Sequence, residues 1–193
     1  MVITLDKIKG SGPLWVELAT IICNPLIGES MCDLGSHHAP YTPLLGYTEY
    51  IYVDIQDRGL DNKELEKWFI KSDAIEYLQK CNRKFDLCIA SDFLEHLTED
   101  KGNKFLCLMQ EHSDKQVIFT PLGPWMITEE DNPDGHRSGW TPEMLPEYLS
   151  IVLPDFHPAL GIGAFFAVNC SDEEKQRIYN EIKNKYVRED QTH

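Results

Sequence analysis

Three short runs in this chain, Tyr50-Ile51-Tyr52-Val53, Leu87-Cys88-Ile89-Ala90 and Val117-Ile118-Phe119, are apolar at successive residues rather than at alternate ones. Side chains along a strand point to opposite faces in turn, so a run that is apolar throughout suits a strand covered on both faces. Five stretches have strand character: 30–34, 49–54, 68–71, 85–90 and 116–120. Helical segments separate several of them. Asp61-Asn62-Lys63-Glu64 and Ser72-Asp73-Ala74-Ile75-Glu76 carry capping patterns. Residues 99–112 offer Phe105, Leu106, Leu108 and Met109 as a buried side, despite Gly102. The alternation predicts an α/β fold with a mostly parallel, seven-stranded sheet, helices on both faces and right-handed crossovers.

The remaining segments fit the same plan. Residues 1–12 read as a lead-in, and Leu14 to Ile22 as an apolar helix halted by Pro25. Late strands are expected at 150–153 and 163–169, and Ser171-Asp172-Glu173-Glu174 opens the last helix with a capping box. Thr141 is placed to cap a short helix with Pro142 at its first position. Between them, 121–140 is broken by Pro121, Gly123, Pro124, Asn132, Pro133, Asp134 and Gly135, and is long for a connection, which suits a binding loop. No repeat or linker divides the 193 residues, so 1–193 reads as a single domain.

Charge narrows the partners. Lys+Arg number 18 against 32 Asp+Glu, a formal net charge of −14, which repels a phosphate backbone. The basic residues at Lys63, Lys67 and from Lys183 to Arg188 are diluted by acids, so no nucleic-acid partner is expected and a small-molecule substrate is favoured. No run approaches the ~20 apolar residues that cross a bilayer, and the N-terminus lacks a signal-like apolar stretch. Six cysteines without a close pair read as buried free thiols. A cytoplasmic setting is the resulting expectation. Dispersed histidines, with neither H-E-x-x-H nor a compact oxygen cage, give no metal site, and G-x-S-x-G is absent.

Candidate site residues stand at strand ends. Asp33 and Gly35, in Met31-Cys32-Asp33-Leu34-Gly35, put a carboxylate and a permissive backbone at the edge where open α/β sheets bind ligands. Asp54 ends the next strand, about 20 residues on, where a carboxylate can accept from both hydroxyls of a ribose. That spacing also suits a nicotinamide dinucleotide, but Gly35-Ser36-His37-His38-Ala39-Pro40 lacks G-x-G-x-x-G. Asp73 can contact an adenine amino group, cap its helix, or do both. Asp92, Glu95 and His96 follow the fourth strand near the same edge.

These segments together resemble the class I S-adenosylmethionine-dependent methyltransferases, and within them the methyltransferase-11-like group. Asp33-Leu34-Gly35 resembles the start of the first cofactor motif, Asp54 the ribose-binding acid and Asp73 the residue near adenine. Phe85-Asp86-Leu87, leading into Ser91-Asp92-Phe93-Leu94-Glu95-His96-Leu97, resembles the fourth motif and its turn. His136-Arg137-Ser138-Gly139-Trp140-Thr141 is similar to a segment found after the fifth strand in some relatives. The first motif departs from the family, with Ser36-His37-His38-Ala39-Pro40 where two further glycines are common.

The resemblance implies a Rossmann-like methyltransferase fold, S-adenosyl-L-methionine as cofactor, and Asp33, Gly35, Asp54, Asp73 and Asp92 as its contacts. It implies methyl transfer, and the compact chain and its charge of −14 favour a small-molecule acceptor. On the acceptor side, Trp125, His136, Arg137 and Trp140 offer apolar walls, acid–base chemistry and an anion-orienting cation. His136 and Asp92 are the catalytic candidates, and each of the four acceptor-side residues equally suits a packing or loop-holding role. Two alternatives stand beside this reading: an inactive nucleoside-binding or scaffold protein of the same fold, and an NAD-dependent oxidoreductase.

Overall fold

The computed structural model describes residues 1–6, 12–26, 28–37, 45–57, 59, 63–125, 128 and 135–187. The expectations at 38–40 and at Asp61-Asn62 lie outside them. The strands are β1 (Val2–Thr4), β2 (Ser30–Leu34), β3 (Glu49–Asp54), β4 (Phe69–Lys71), β5 (Leu87–Ser91), β6 (Gln116–Pro121), β7 (Leu149–His157) and β8 (Ile162–Asn169). They form one sheet in the order β1-β7-β8-β6-β5-β2-β3-β4. Neighbours from β4 across to β6 are parallel, whereas β8 runs antiparallel to both β6 and β7.

Helices α1 (Gly12–Cys23), α2 (Ala74–Lys80), α3 (Glu99–His112) and α4 (Asp172–Ile182) cover the sheet. Two buried clusters explain why the central strands are apolar throughout. Leu87 and Ile89 of β5 join Leu18 and Ile22 of α1 and Ile178 of α4 on one face. Cys88 and Ala90 join Leu78 of α2 and Phe105 and Met109 of α3 on the other. β8 alternates likewise, with Phe166 and Val168 in the first cluster and Phe165 and Ala167 in the second. Fully burying side chains of this size contributes on the order of 1.5–3 kcal/mol each.

The largely parallel sheet with helices on both faces is the architecture the alternation predicts, and the seven expected strands are present. The difference is an eighth: Val2–Thr4 of the lead-in pairs parallel with β7 at the sheet's edge. β7 also runs on to His157 through an irregular register beyond Leu153. Capping is partly as expected. Asp73 Oδ1 accepts from Glu76 N at 2.9 Å, and Ser171 and Glu174 make a reciprocal capping box. Thr141 instead precedes a single 3-10 turn, Pro142–Met144, and makes no side-chain cap. Among the described residues, no helix is long and apolar enough to cross a membrane.

From β2 the chain proceeds outward through β3 and β4 on one side. It then returns to β5 and β6 on the other. Chain direction across the sheet therefore reverses at the β2–β5 boundary, and a crevice opens beyond the strands' C-terminal ends there.

Candidate functional site

A cavity of about 190 Å³ occupies that crevice, and its wall includes Gly35, Asp54, Asp73, Asp92, His96 and Arg137. All but Arg137 follow or end β2, β3, β4 and β5, so parallel pairing brings them to one rim, and Arg137, after β6, is held there by its N–H to Glu95 O. Asp54 is the most fully oriented. Its Oδ2 accepts from His37 N at 2.9 Å and its Oδ1 from Gln56 N at 2.8 Å. Each carboxylate oxygen has two lone pairs, so these bonds aim the group while leaving it capacity to accept hydroxyls. His37 thus contributes its backbone N–H, from a left-handed conformation with φ of 49°.

Gly35 has φ of +76°, and a Cβ there would collide with the ring of Phe93. The turn after β2 therefore needs glycine for its backbone and for the close approach of the segment after β5. Asp73 caps α2 and lines the cavity, so both roles considered for it are geometrically open. Asp33 is buried, at 3% exposure, and is not among the residues of the cavity wall.

Asp92 also adopts a left-handed backbone, φ of 49°, anchored by its N–H to Phe119 O at 2.8 Å. Its side chain is accessible through the cavity, yet protein crowds it on the other sides. The resulting desolvation dominates and pushes its carboxyl up to about 6, against a hydrogen bond from Ser91 that lowers it. Three residues on, Glu95 is 3% exposed. Burial, then the neighbouring Asp92 charge, push the Glu95 carboxyl up to about 8. Thr120 Oγ1 donates to Glu95 Oε2 at 3.0 Å.

The turn after β5 is laced to the segment around His136. Arg137 N and Ser138 N donate to Glu95 O at 2.7 and 3.2 Å, and Ser138 Oγ donates to Leu97 O at 2.7 Å. His96 Nδ1 meets Gly135 O at 3.2 Å, and His136 Nδ1 meets Trp125 O at 2.9 Å. Carbonyl oxygens only accept, so both histidines donate from Nδ1 in these bonds, and in a neutral ring the basic nitrogen is then Nε2. The two rings pack edge to face at 5.0 Å, and Trp125 packs on His136 at 5.0 Å. One ligand atom from each of Glu95, His96 and His136 lies within 4.8 Å of the others. The histidines treated as dispersed in the sequence are brought together here.

Trp140 is a correction to the expected acceptor wall. It is fully buried, packed against Gly102 of α3, with Nε1 donating to Ser138 Oγ at 2.8 Å. It braces the loop from beneath. Trp125, His136 and Arg137 remain partly accessible on the acceptor side, and Arg137 reaches the cavity wall. Glu95 and His96, expected near the ligand edge but given no cofactor, catalytic or acceptor role, share a turn with Asp92, and that adjacency was the signal available.

No protein-family model matches the sequence, and neither does any curated protein. Similarity to solved structures is clear at the level of fold. The small RNA methyltransferase HEN1 superposes with a TM-score of 0.56 at 16% identity, over 86% of this chain but only 26% of that one. The N-methyltransferase NodS from Bradyrhizobium japonicum gives 0.59 at 12% identity, over 82% and 96%. The 1,6-didemethyltoxoflavin-N1-methyltransferase of Burkholderia thailandensis, solved with that compound and S-adenosylhomocysteine bound, gives 0.53 at 12%, over 82% and 81%. The chain has the fold of the class I S-adenosylmethionine-dependent methyltransferases.

Proposed function

We propose that this protein binds S-adenosyl-L-methionine in the crevice beyond β2 and β5 and transfers its methyl group to a small molecule. The observation that carries the reading is Asp54, a carboxylate at the end of β3 aimed into the cavity by two backbone N–H groups. That arrangement suits a ribose diol. Asp73, just after the next strand, suits the adenine amino group, and Gly35 lets the turn after β2 come close to the ligand. The turn from Gly35 lacks the glycine series a pyrophosphate needs, which favours this nucleoside over NAD.

When bound, the cofactor supplies an electrophilic methyl carbon on a cationic sulfonium. The residues of the chain then have limited tasks. Asp54, Asp73 and Asp92 give the cavity a carboxylate lining that complements positive charge. Arg137 in the cavity wall can position an acceptor's anionic group, and Trp125, half-buried and packed on His136, can offer a ring beside it. A hydroxyl acceptor must lose a proton, and the groups nearest that end are His96, His136 and Glu95. The formal charge of −14 and the acidic cavity support a small acceptor over RNA.

Methyl-labelled cofactor incubated with separated metabolite, peptide and RNA fractions tests this directly. Label is expected in metabolites. Label confined to RNA or peptide would overturn the acceptor class. Cofactor binding without label in any fraction would favour the inactive, nucleoside-binding alternative.

A further inference from the structure

The cluster at the acceptor end of the cavity has a geometry that loop packing does not require. We propose that Glu95, His96 and His136 form a mononuclear site for a first-row divalent transition cation of the Mn²⁺, Co²⁺ or Zn²⁺ kind.

The first support is convergence. One ligand atom from each of the three side chains lies within 4.8 Å of the other two. Ligands held at about 2.0–2.2 Å from such a cation stand roughly 3–3.5 Å apart, so small side-chain rotations close the set around an ion. The three come from segments far apart in the chain, after β5 and before Trp140, and backbone hydrogen bonds between those segments fix the approach. Arg137 N and Ser138 N both donate to the carbonyl of Glu95.

The second support is protonation at named atoms. His96 Nδ1 is bonded to Gly135 O, and His136 Nδ1 to Trp125 O. A backbone carbonyl taking the Nδ1 proton is the arrangement that orients a metal-ligating histidine and leaves Nε2 basic. Holding the loop accounts for these two Nδ1 bonds. It gives no reason for both rings to converge with a buried carboxylate. Glu95, in turn, has one oxygen engaged by Thr120 Oγ1 at 3.0 Å, which sets the plane of its carboxylate.

The donor set decides the class of ion. Two imidazoles and one carboxylate suit a borderline transition cation, whereas Ca²⁺ and Mg²⁺ prefer oxygen ligands throughout. Three protein ligands leave coordination positions open, as in sites that receive a further ligand. His96 is part of the cavity wall, so those positions border the cavity. On the methyl-transfer reading they would receive an oxygen of the acceptor; metal binding itself is measured without relying on that reading.

The test is titration of chelator-treated full-length protein with Co²⁺, followed by visible absorption and calorimetry, with S-adenosylhomocysteine titrated separately. One equivalent of Co²⁺ is expected in the wild type. His96→Ala, His136→Ala and Glu95→Gln should each weaken binding at least tenfold, while His157→Ala, on the distant β7, should leave it unchanged. His136→Cys serves as a second probe, because a thiolate ligand adds a charge-transfer band that a merely structural residue would not produce. A wild type that takes up no Co²⁺, or uptake that persists unchanged in a folded His96→Ala/His136→Ala double variant, overturns the proposal. Metal binding without S-adenosylhomocysteine binding would count against the methyl-transfer reading alone.

Discussion

Trp140 fills the space that a side chain at position 102 would need: a Cβ on Gly102 would overlap Cζ2 of its ring. A glycine inside α3 costs helix stability of about 1 kcal/mol relative to alanine. Here it admits a fully buried indole that anchors the segment carrying His136 and Arg137. Gly102→Ala should gain that helix propensity yet lose more to overpacking, which costs about 1–3 kcal/mol. The expected net result is a lower denaturation midpoint. A variant as stable as the wild type would show that Trp140 can move aside.

Asp86 ties the start of β2 to the start of β5. Its Oδ2 accepts from Glu29 N, Ser30 N and Ser30 Oγ at 2.9, 2.8 and 2.9 Å. The Ser30 N–H, with the Ser30 hydroxyl and the Glu29 N–H, holds its carboxyl below the ordinary 3.8. A depressed folded-state value means stability that is fully present above 3.8 and lost as pH falls through the lower value. Asp86→Asn should therefore cost roughly 1 kcal/mol at neutral pH, modest because the site is exposed, with the gap to wild type closing in acid. Denaturation curves across acidic pH check this; a gap constant with pH would contradict it.

Two glycines separate strain from collision. Gly35 and Gly46 have φ of +76° and +82°, but only at Gly35 would a Cβ strike Phe93; at Gly46 nothing among the described residues lies within 4 Å. Each alanine substitution should cost about 1–2 kcal/mol for its backbone. Gly35→Ala should cost more, and should also weaken S-adenosylhomocysteine binding by displacing Phe93 at the cavity wall. Equal losses for the two variants would remove Phe93 from the account.

The thiols offer an inexpensive check on the core. Cys107 is exposed and Cys81 partly so, whereas Cys23, Cys32, Cys88 and Cys170 are buried. Burial also pushes the Cys23 thiol up to about 12 and that of Cys170 up to about 11. In native buffer, a thiol reagent should modify Cys107 first and Cys81 more slowly, with the rest reacting only on unfolding. Prompt reaction of the buried four would contradict the packing described.

The central strands were legible because burial on both faces leaves a direct trace: Leu87 to Ala90 of β5 and Val117 to Phe119 of β6 are apolar at every position. β1 left none, since three residues at an edge with only Ile3 buried carry no pattern. The cap at Asp73 was readable because an N-cap is local, acting on a residue three places on. Trp140 was not, because an aromatic residue in a Gly-rich segment looks the same whether it lines a pocket or fills a core. The meeting of Glu95, His96 and His136 depends on two segments pairing across the sheet's rim, and periodicity holds no information about that pairing.

Asp54 bears the central claim. Calorimetric titration of S-adenosylhomocysteine into wild-type protein and into Asp54→Asn tests it most directly. Binding is expected in the wild type, with a loss on the order of 1–3 kcal/mol, roughly 5- to 150-fold, in a variant that keeps its fold. An Asp54→Asn protein that is folded and binds with unchanged affinity, or a wild type that binds no S-adenosylhomocysteine at all, would contradict the account.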